Sequence, residues 1–384
     1  MKLNSLVLLG LSPLLFAACS DQKGISPCAT QLEYITNVNT YGIDALTQSS
    51  AYMASFFVGA DDNYISAKLD TGSSELIVNE QDFSAGVNTQ FGKNGYNFKY
   101  NNNASVAINA VDSLQVGCSA TIDTRFAITS KKSPTGNILG LAFGDSERLP
   151  HEAFNKPFFD QLVKSNGFKD VFSLSLCASR ARSHVLFGGI DDKMKNRLSN
   201  KIPIIEKSSY VVPALSLRMA DTKEVLGHFP VYNPKKRTGQ KTILDSGTSF
   251  NLFPPQMAEA AAEKVVARAK ELGLYTKLPD GFFRTERSAS SRVTRFKNLA
   301  QIRQFPSFEI TFQGADGNVK ALELSPLHYF KEMSNIDPLT RSFGIRESKG
   351  PIVLGQPFLE NHYVVVDRKN ALVAFGDIDY ACSP

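Results

Sequence analysis

The stretch AKLDTGSS at residues 67–74 decides the fold of this chain. It ends a run of β-forming residues and turns at a glycine, with an aspartate at the junction and hydroxyl side chains around it. A second stretch of the same pattern, TILDSGTS, occupies residues 242–249, about half a chain later. Two matching aspartate turns at this spacing predict a duplicated fold that brings Asp70 and Asp245 together.

Such a carboxylate pair has a definite chemistry. Two carboxylates at hydrogen-bonding distance cannot both ionise cheaply, so they share one proton and their pKa values separate. The ionised member can take a proton from a water held between them, and the protonated member can donate to a carbonyl oxygen. The pair therefore suits hydrolysis of an amide without a covalent intermediate. The neighbouring hydroxyls can orient the carboxylates, and the glycines let the backbone approach closely.

The composition is that of a soluble globular protein. The 384 residues are enough for two domains, with 42% hydrophobic and 21% charged residues. The formal net charge is +5 and the basic residues are spread along the chain, so we expect no nucleic-acid binding. The histidines form no His-Glu-x-x-His motif, and no Gly-x-Ser-x-Gly elbow or phosphate-binding loop is present. We therefore expect no metal and no cofactor.

The first residues resemble an export signal. Lys2 precedes an apolar segment at residues 5–16 that is too short to span a bilayer. Small residues before Cys19 are typical of a bacterial lipoprotein signal, in which the cysteine is lipidated and becomes the mature N-terminus. We assign residues 1–18 to a signal peptide and expect a lipid anchor in the membrane at Cys19, facing the periplasm. Ser20 favours the outer membrane, and ordinary cleavage to a periplasmic protein is the alternative.

Four further cysteines, Cys28, Cys118, Cys177 and Cys382, permit two disulfides in an exported chain. Three pairings are possible. We favour Cys28–Cys382 with Cys118–Cys177, because Cys28 and Cys382 lie near the two mature ends and chain ends often meet in compact domains. Buried free thiols are the alternative.

The rest of the chain is typical of many short strands and few helices. Residues 31–35 predict an edge strand after a polar tether. Residues 255–272 carry strong helical periodicity, with prolines at the start and Gly273 after the end. Residues 284–303 are rich in arginine and predict an exposed insertion, either a solvated loop or a contact surface for substrate or an anionic envelope.

Several motifs, in order, resemble those of the pepsin-like aspartic peptidases over residues 52–379. They are DTGSS at 70–74, NILGLAF at 137–143, FGGID at 187–191, DSGTS at 245–249, and IVLG at 352–355 followed by YVVVDR at 363–368. The resemblance implies an all-β, bilobal fold with a few short helices and a cleft between two related lobes. We expect a tether and first strand at residues 19–50, an N-terminal lobe at 51–200 and a C-terminal lobe at 201–384.

The resemblance also implies residue roles, with Asp70 and Asp245 as the catalytic pair. Hydroxyls that bond across to the opposite lobe correspond to Thr71 and Ser246. Hydroxyls that bond the outer carboxylate oxygens correspond to Ser73 and Thr248. The turn glycines correspond to Gly72 and Gly247.

Tyr100 falls where the family has the tyrosine of its substrate flap. Asparagines at residues 101–103 replace the usual glycines, and the chain has no tryptophan to partner the tyrosine. An ordinary strand tyrosine is the alternative.

The function that follows is an aspartic endopeptidase, monomeric, that hydrolyses extended polypeptide in the bacterial cell envelope. The alternative is a weak or inactive lipoprotein of the same fold that binds peptides or an envelope partner. We favour catalysis because both aspartates and both turn glycines are present. The segment between Cys19 and Tyr52 is too short for an inhibitory prosegment of the usual length, so we expect none. We expect a mildly acidic pH optimum.

Overall fold

The computed structural model describes residues 27–36, 50–60, 63–100, 103–130, 136–144, 157–177, 182–286, 292–334 and 337–382. The predicted signal segment and Cys19 lie outside these ranges. Strands dominate and the helices are few and mostly short, which confirms the predicted all-β class.

The strands of the first half are β1 Cys28–Thr36, β2 Ser50–Val58, β3 Tyr64–Asp70, β4 Leu76–Asn79, β5 Gln90–Tyr100, β6 Asn103–Val116, β7 Ile122–Thr129, β8 Ile138–Gly140, β9 Val171–Ser175 and β10 His184–Phe187. The later strands are β11 Ser199–Pro203, β12 Ala214–Met219, β13 Val225–His228, β14 Thr242–Leu244, β15 Asn251–Phe253, β16 Thr294–Arg295, β17 Phe308–Gln313, β18 Val319–Leu324, β19 Phe330–Glu332, β20 Thr340–Phe343, β21 Ile345–Glu347, β22 Ile352–Leu354, β23 His362–Asp367 and β24 Leu372–Asp377. The α-helices are α1 Phe158–Asn166, α2 Pro255–Glu271, α3 Leu299–Ile302, α4 Pro326–Tyr329, α5 Gln356–Leu359 and α6 Ile378–Ala381. Within the described ranges, no helix is long and apolar enough to cross a membrane.

The largest sheet joins both halves of the chain. Its thirteen strands run in the order β11-β24-β23-β9-β10-β1-β2-β3-β8-β4-β7-β6-β5. The predicted strand at residues 31–35 is present as part of β1, which pairs with β10 through residues 28–31 and with β2 through residues 32–36. It therefore joins two parts of the sheet instead of ending the strand order. The alternate residues Cys28, Thr30 and Leu32 are buried, so this strand contributes to the core.

The two aspartate turns lie in the same local topology. In the first, β3 pairs in parallel with β8, with Asp70 opposite Gly140, and β8 pairs antiparallel with β4 after the turn. In the second, β14 pairs in parallel with β22, which pairs antiparallel with β15 after the turn. The duplicated sequence pattern therefore corresponds to a duplicated pairing of strands.

The glycine that ends each apolar run has a steric reason. A Cβ on Gly140 would lie 2.6 Å from the backbone nitrogen of Glu75, and a Cβ on Gly355 would lie 2.2 Å from the backbone oxygen of Phe250. Both contacts are with the chain that leaves an aspartate turn. Backbone cannot move away as a flexible side chain can, so these positions exclude any other residue.

Buried polar contacts tie the two halves together. The Tyr52 hydroxyl of β2 donates to Glu360 Oε1 at 2.9 Å, and Glu360 forms a buried ion pair with Lys331 at 2.7 Å. Arg368 ends the motif at 363–368. Its Nη1 lies 3.2 Å from Asp170 Oδ1, and its Cζ lies 4.3 Å from the ring centroid of Phe143. A buried ion pair is costly to break because the remaining charge has no compensation, so these contacts fix how the halves meet.

The disulfide pairing differs from the favoured one. Cys28 is bonded to Cys118 and Cys177 to Cys382, with Cα separations of 5.4 and 5.8 Å. The predicted pairs Cys28–Cys382 and Cys118–Cys177 are therefore wrong, because β1 lies inside the sheet instead of at a free end. Cys28 Sγ lies 3.8 Å from the backbone oxygen of Val116 at the end of β6, while β23 pairs with β9 and so brings the C-terminal segment close to Cys177.

The predicted helix at 255–272 is confirmed as α2. The prediction for residues 284–303 is wrong in part, since Phe296 and Ile302 are 3% and 0% exposed. The Phe296 ring lies 5.2 Å from that of Phe330 between ring centroids, so the aromatic core anchors this segment. Residues 287–291 lie outside the described ranges.

Candidate active site

Four hydrogen bonds made by Thr71 and Ser246 join the two aspartate turns, and we call this set the lock. Thr71 Oγ1 donates to the backbone oxygen of Leu244 at 3.0 Å and accepts from the Ser246 amide at 2.9 Å. Ser246 Oγ donates to the backbone oxygen of Leu69 at 2.8 Å and accepts from the Thr71 amide at 3.1 Å. Both side chains are buried. This reciprocal set of hydrogen bonds fixes the separation of the two turns.

The lock brings Asp70 and Asp245 side by side, and a hydrogen bond joins their side chains. The Gly72 amide donates to Asp70 Oδ1 and the Gly247 amide to Asp245 Oδ1, both at 2.8 Å. A Cβ on Gly72 would lie 2.7 Å from Asp245 Cγ, and a Cβ on Gly247 would lie 2.5 Å from Asp70 Oδ1. Each glycine therefore faces the opposite carboxylate and leaves no room for a side chain.

The electrostatics of the pair favour one retained proton. Asp70 is 2% exposed and Asp245 is half-buried. The dense protein surroundings of the Asp245 carboxyl, and then the negative charge of Asp70, raise its pKa well above the ordinary range. Thr248 Oγ1, which donates to Asp245 Oδ2 at 2.6 Å, and the positive charge of Lys68 act in the opposite direction. The pair therefore retains one proton, and the raised pKa of Asp245 favours that member as its holder.

Ser73 does not mirror Thr248. The resemblance implied that both hydroxyls bond the outer carboxylate oxygens. Ser73 Oγ is buried and has no hydrogen-bond partner within the part of the chain that the structure describes. The two turns are therefore symmetric in their backbone and in the Thr71–Ser246 lock, but not in this hydroxyl.

Tyr100 lies at the tip of the hairpin formed by β5 and β6. Its backbone pairs with Asn103, the last register position of the two strands. Its side chain and residues 101–102 lie outside what the structure describes. The hairpin that a flap requires is present, and the role of the tyrosine stays a prediction.

Sequence analysis missed three residues next to the turns. Gln356 is fully buried, and its Nε2 donates to the backbone oxygen of Ser246 at 2.9 Å. Glu75 accepts from Ser74 Oγ at 2.7 Å, and burial, with a smaller effect of the Asp70 charge, raises its pKa. Lys68 lies two residues before Asp70 on β3. Of the three, only Lys68 had a signal in the sequence, because alternation along a strand places it on the same face as Asp70.

Metal ligands do not gather elsewhere in the described ranges, where no group of three or more His, Cys, Asp or Glu side chains could hold an ion. His362 illustrates a different role. It is buried, its Nε2 lies 2.9 Å from the backbone oxygen of Glu323, and burial lowers its pKa to about 4. This histidine is a neutral, satisfied residue of the core.

Comparison with known proteins gives one family and several distant relatives. The family model for eukaryotic aspartyl proteases matches residues 51–378. A beta-secretase of Strongylocentrotus purpuratus is 23% identical over 62% of this chain and 46% of its own length. Vacuolar protease A of Neurospora crassa is 24% identical over 59% of each chain, and candidapepsin-4 of Candida albicans is 24% identical over 86% of this chain and 76% of its own. The chain spans about half the length of the first two relatives.

The lock predicts a large effect of Ser246→Ala on stability. The substitution leaves the buried backbone oxygen of Leu69 and the amide of Thr71 without partners, so we expect the free energy of unfolding to fall by about 1–3 kcal/mol. Urea unfolding measures it. Ser73→Ala is the matched control, because its hydroxyl is buried and has no partner among the described residues, so its loss is expected to change stability little. Equal effects of the two substitutions would contradict the role of the lock.

The raised pKa of Asp245 predicts a pH dependence of stability. A carboxyl whose folded pKa lies above its unfolded pKa contributes stability that is complete below the unfolded value and is lost as the pH rises through the folded value. The stability of the wild type relative to Asp245→Asn should therefore decline between about pH 4 and pH 8. Urea unfolding of both proteins across this range tests it, and a difference that does not change with pH would contradict a raised pKa.

Proposed function

The chain belongs to the eukaryotic aspartyl protease family, and from this premise we propose that it is an aspartic endopeptidase that cleaves extended polypeptide. A water held between Asp70 and Asp245 would be the nucleophile. The observation that carries the proposal is the contact of each turn glycine with the opposite carboxylate, with the two carboxyls hydrogen-bonded to each other. A structural Asp-Gly turn has no need for a second carboxylate against its glycine.

The asymmetry of the pair gives each aspartate a separate part in the reaction. Asp70, the ionised member, takes a proton from the water as its oxygen attacks the peptide carbonyl carbon. Asp245, the protonated member, donates its proton to the carbonyl oxygen, so a neutral tetrahedral diol forms. Asp70 then gives its proton to the leaving nitrogen while Asp245 recovers a proton from a diol hydroxyl. The carbon–nitrogen bond breaks and the pair returns to its starting protonation.

The supporting groups keep this pair in place without reacting. Thr71 and Ser246 set the separation of the turns, and Thr248 holds Asp245 Oδ2 at 2.6 Å. We further propose that the β5–β6 hairpin closes over an extended substrate, with Tyr100 at its tip. A substrate bound as a strand would satisfy its backbone groups along the cleft, and side pockets would set its preference.

The decisive experiment is cleavage of an unfolded protein from about pH 3 to about pH 8 by a chain starting at Ser20, beside Asp70→Asn and Asp245→Asn. We expect cleavage by the wild type alone, inhibited by a statine-type mimic of the tetrahedral diol. Each substitution should lower kcat/KM by at least about a hundredfold, the usual effect of removing a general acid or base. Activity should fall as the pH rises past the raised pKa of Asp245, because the pair then loses its proton. Mass spectrometry of the products gives the cut sites.

Circular dichroism and urea unfolding would show that each variant is folded. No cleavage at any pH by folded wild-type protein would overturn the proposal in favour of a peptide-binding protein of the same fold. An activity optimum above about pH 8 would contradict the shared proton.

We also propose that the protein is a monomer, exported to a bacterial cell envelope and anchored by lipid at Cys19. The two disulfides support export, because such bonds persist in oxidising compartments. Labelling of cells with a radioactive fatty acid tests the anchor. We expect label in the wild type and none in Cys19→Ser, and an unlabelled wild type would contradict lipidation.

A further inference from the structure

We propose that Lys68 makes the cleft selective for polypeptides with an acidic side chain next to the cleaved bond. The proposal rests on the proposed peptidase function and deepens it by naming a class of substrate. Four observations carry it: the face of β3 on which Lys68 lies, its distance from Asp70 along the strand, its neighbours, and its charge.

The burial of β3 alternates from Tyr64 to Leu69, and Asp70 at its end is buried as well. Ile65, Ala67 and Leu69 are buried on the core side. Ser66 and Lys68 are half-buried on the other side, which is the side of the Asp70 carboxyl. Lys68 therefore emerges from the sheet on the face where the two carboxyls meet, and part of it reaches solvent.

The distance along the strand matches a nearby substrate position. Two residues of a β-strand span about 7 Å, and an extended substrate has the same rise per residue. A substrate that runs along β3 would therefore bring a side chain one or two residues from the cleaved bond within reach of the long Lys68 side chain, and positions farther from the bond would lie beyond it.

The neighbours of Lys68 in the sheet are apolar. Met53 of β2 is directly opposite and half-buried, and Ile138 of β8 is opposite on the other side and fully buried. They cover the aliphatic stem of the lysine, while part of the side chain stays exposed on the face of the carboxyl pair.

The charge of Lys68 reaches the carboxyl pair. It acts on Asp245, which belongs to the opposite turn, and stabilises its ionised form. A substrate carboxylate beside Lys68 would gain a charge-assisted hydrogen bond or an ion pair, whereas a substrate lysine or arginine would meet a like charge. For a half-exposed pair we expect a preference of roughly three- to thirtyfold for glutamate over glutamine.

The test is a double-substitution cycle between enzyme and substrate. Peptides around a mapped cut site would carry glutamate or glutamine at each position near the cleaved bond in turn. The full wild-type chain would be compared with Lys68→Met, Lys68→Arg and Lys68→Glu at about pH 6, where peptide glutamate is ionised. Both peptides of a pair are cut by the same carboxyls, so any change in their pKa cancels from the ratio of kcat/KM values.

We expect the wild type to prefer glutamate at one position within two residues of the bond. Lys68→Met should bring the ratio close to one, Lys68→Arg should keep it, and Lys68→Glu should reverse it and favour glutamine. Lys369→Met is the matched control, because it removes the same charge from an exposed turn between β23 and β24 and should leave the ratio unchanged. If Lys68→Met does not fold, Lys68→Gln replaces it as the charge-free variant.

The outcomes separate this proposal from the one on which it rests. Cleavage with no preference for glutamate at any position, or a preference that survives in Lys68→Met, would overturn the role of Lys68 and leave the peptidase intact. A folded wild type that cuts no peptide would overturn both.

Discussion

The reciprocal hydrogen bonds of Thr71 and Ser246 are the constraint on which the rest of the site depends. Each hydroxyl donates to a backbone oxygen just before the opposite aspartate and accepts an amide of the opposite turn. Two carboxylates repel when both are ionised, so something other than their own attraction must hold them together. The lock supplies this force from neutral groups that do not titrate. It therefore keeps its geometry whatever the protonation of the pair.

The lock also explains why glycine follows each hydroxyl. With the turns held this close, the backbone of one turn touches the carboxyl of the other, and a Cβ at Gly72 or Gly247 would overlap it. Close approach and burial then raise the pKa of Asp245, which separates the pair into a proton donor and a proton acceptor. The chemistry of the site thus follows from a packing constraint. Lys68 adds a positive charge beside a pair that carries one negative charge.

Much of the molecule keeps the two turns in register. The strand before each turn is held by a parallel neighbour, β8 for β3 and β22 for β14. Gly140 and Gly355 at the ends of these neighbours let the chain that leaves each turn pack closely against them. The buried contacts of Tyr52, Glu360 and Lys331 join the two halves away from the site. Glu360 takes part in both contacts. A movement of one half of the chain relative to the other would therefore break both contacts and leave buried polar groups that water cannot reach.

The sequence by itself determined the β class, the helix at 255–272 and the family, because these depend on local periodicity and on motifs with fixed internal spacing. It also singled out the two aspartates, since a repeated turn is visible along the chain. Only the tertiary structure decided the disulfide partners, the central place of β1 and the burial of a Ser73 hydroxyl that has no partner among the described residues. The reason is physical. These features depend on which distant segments pack together, and that is set by the burial of the whole core, which no local stretch encodes.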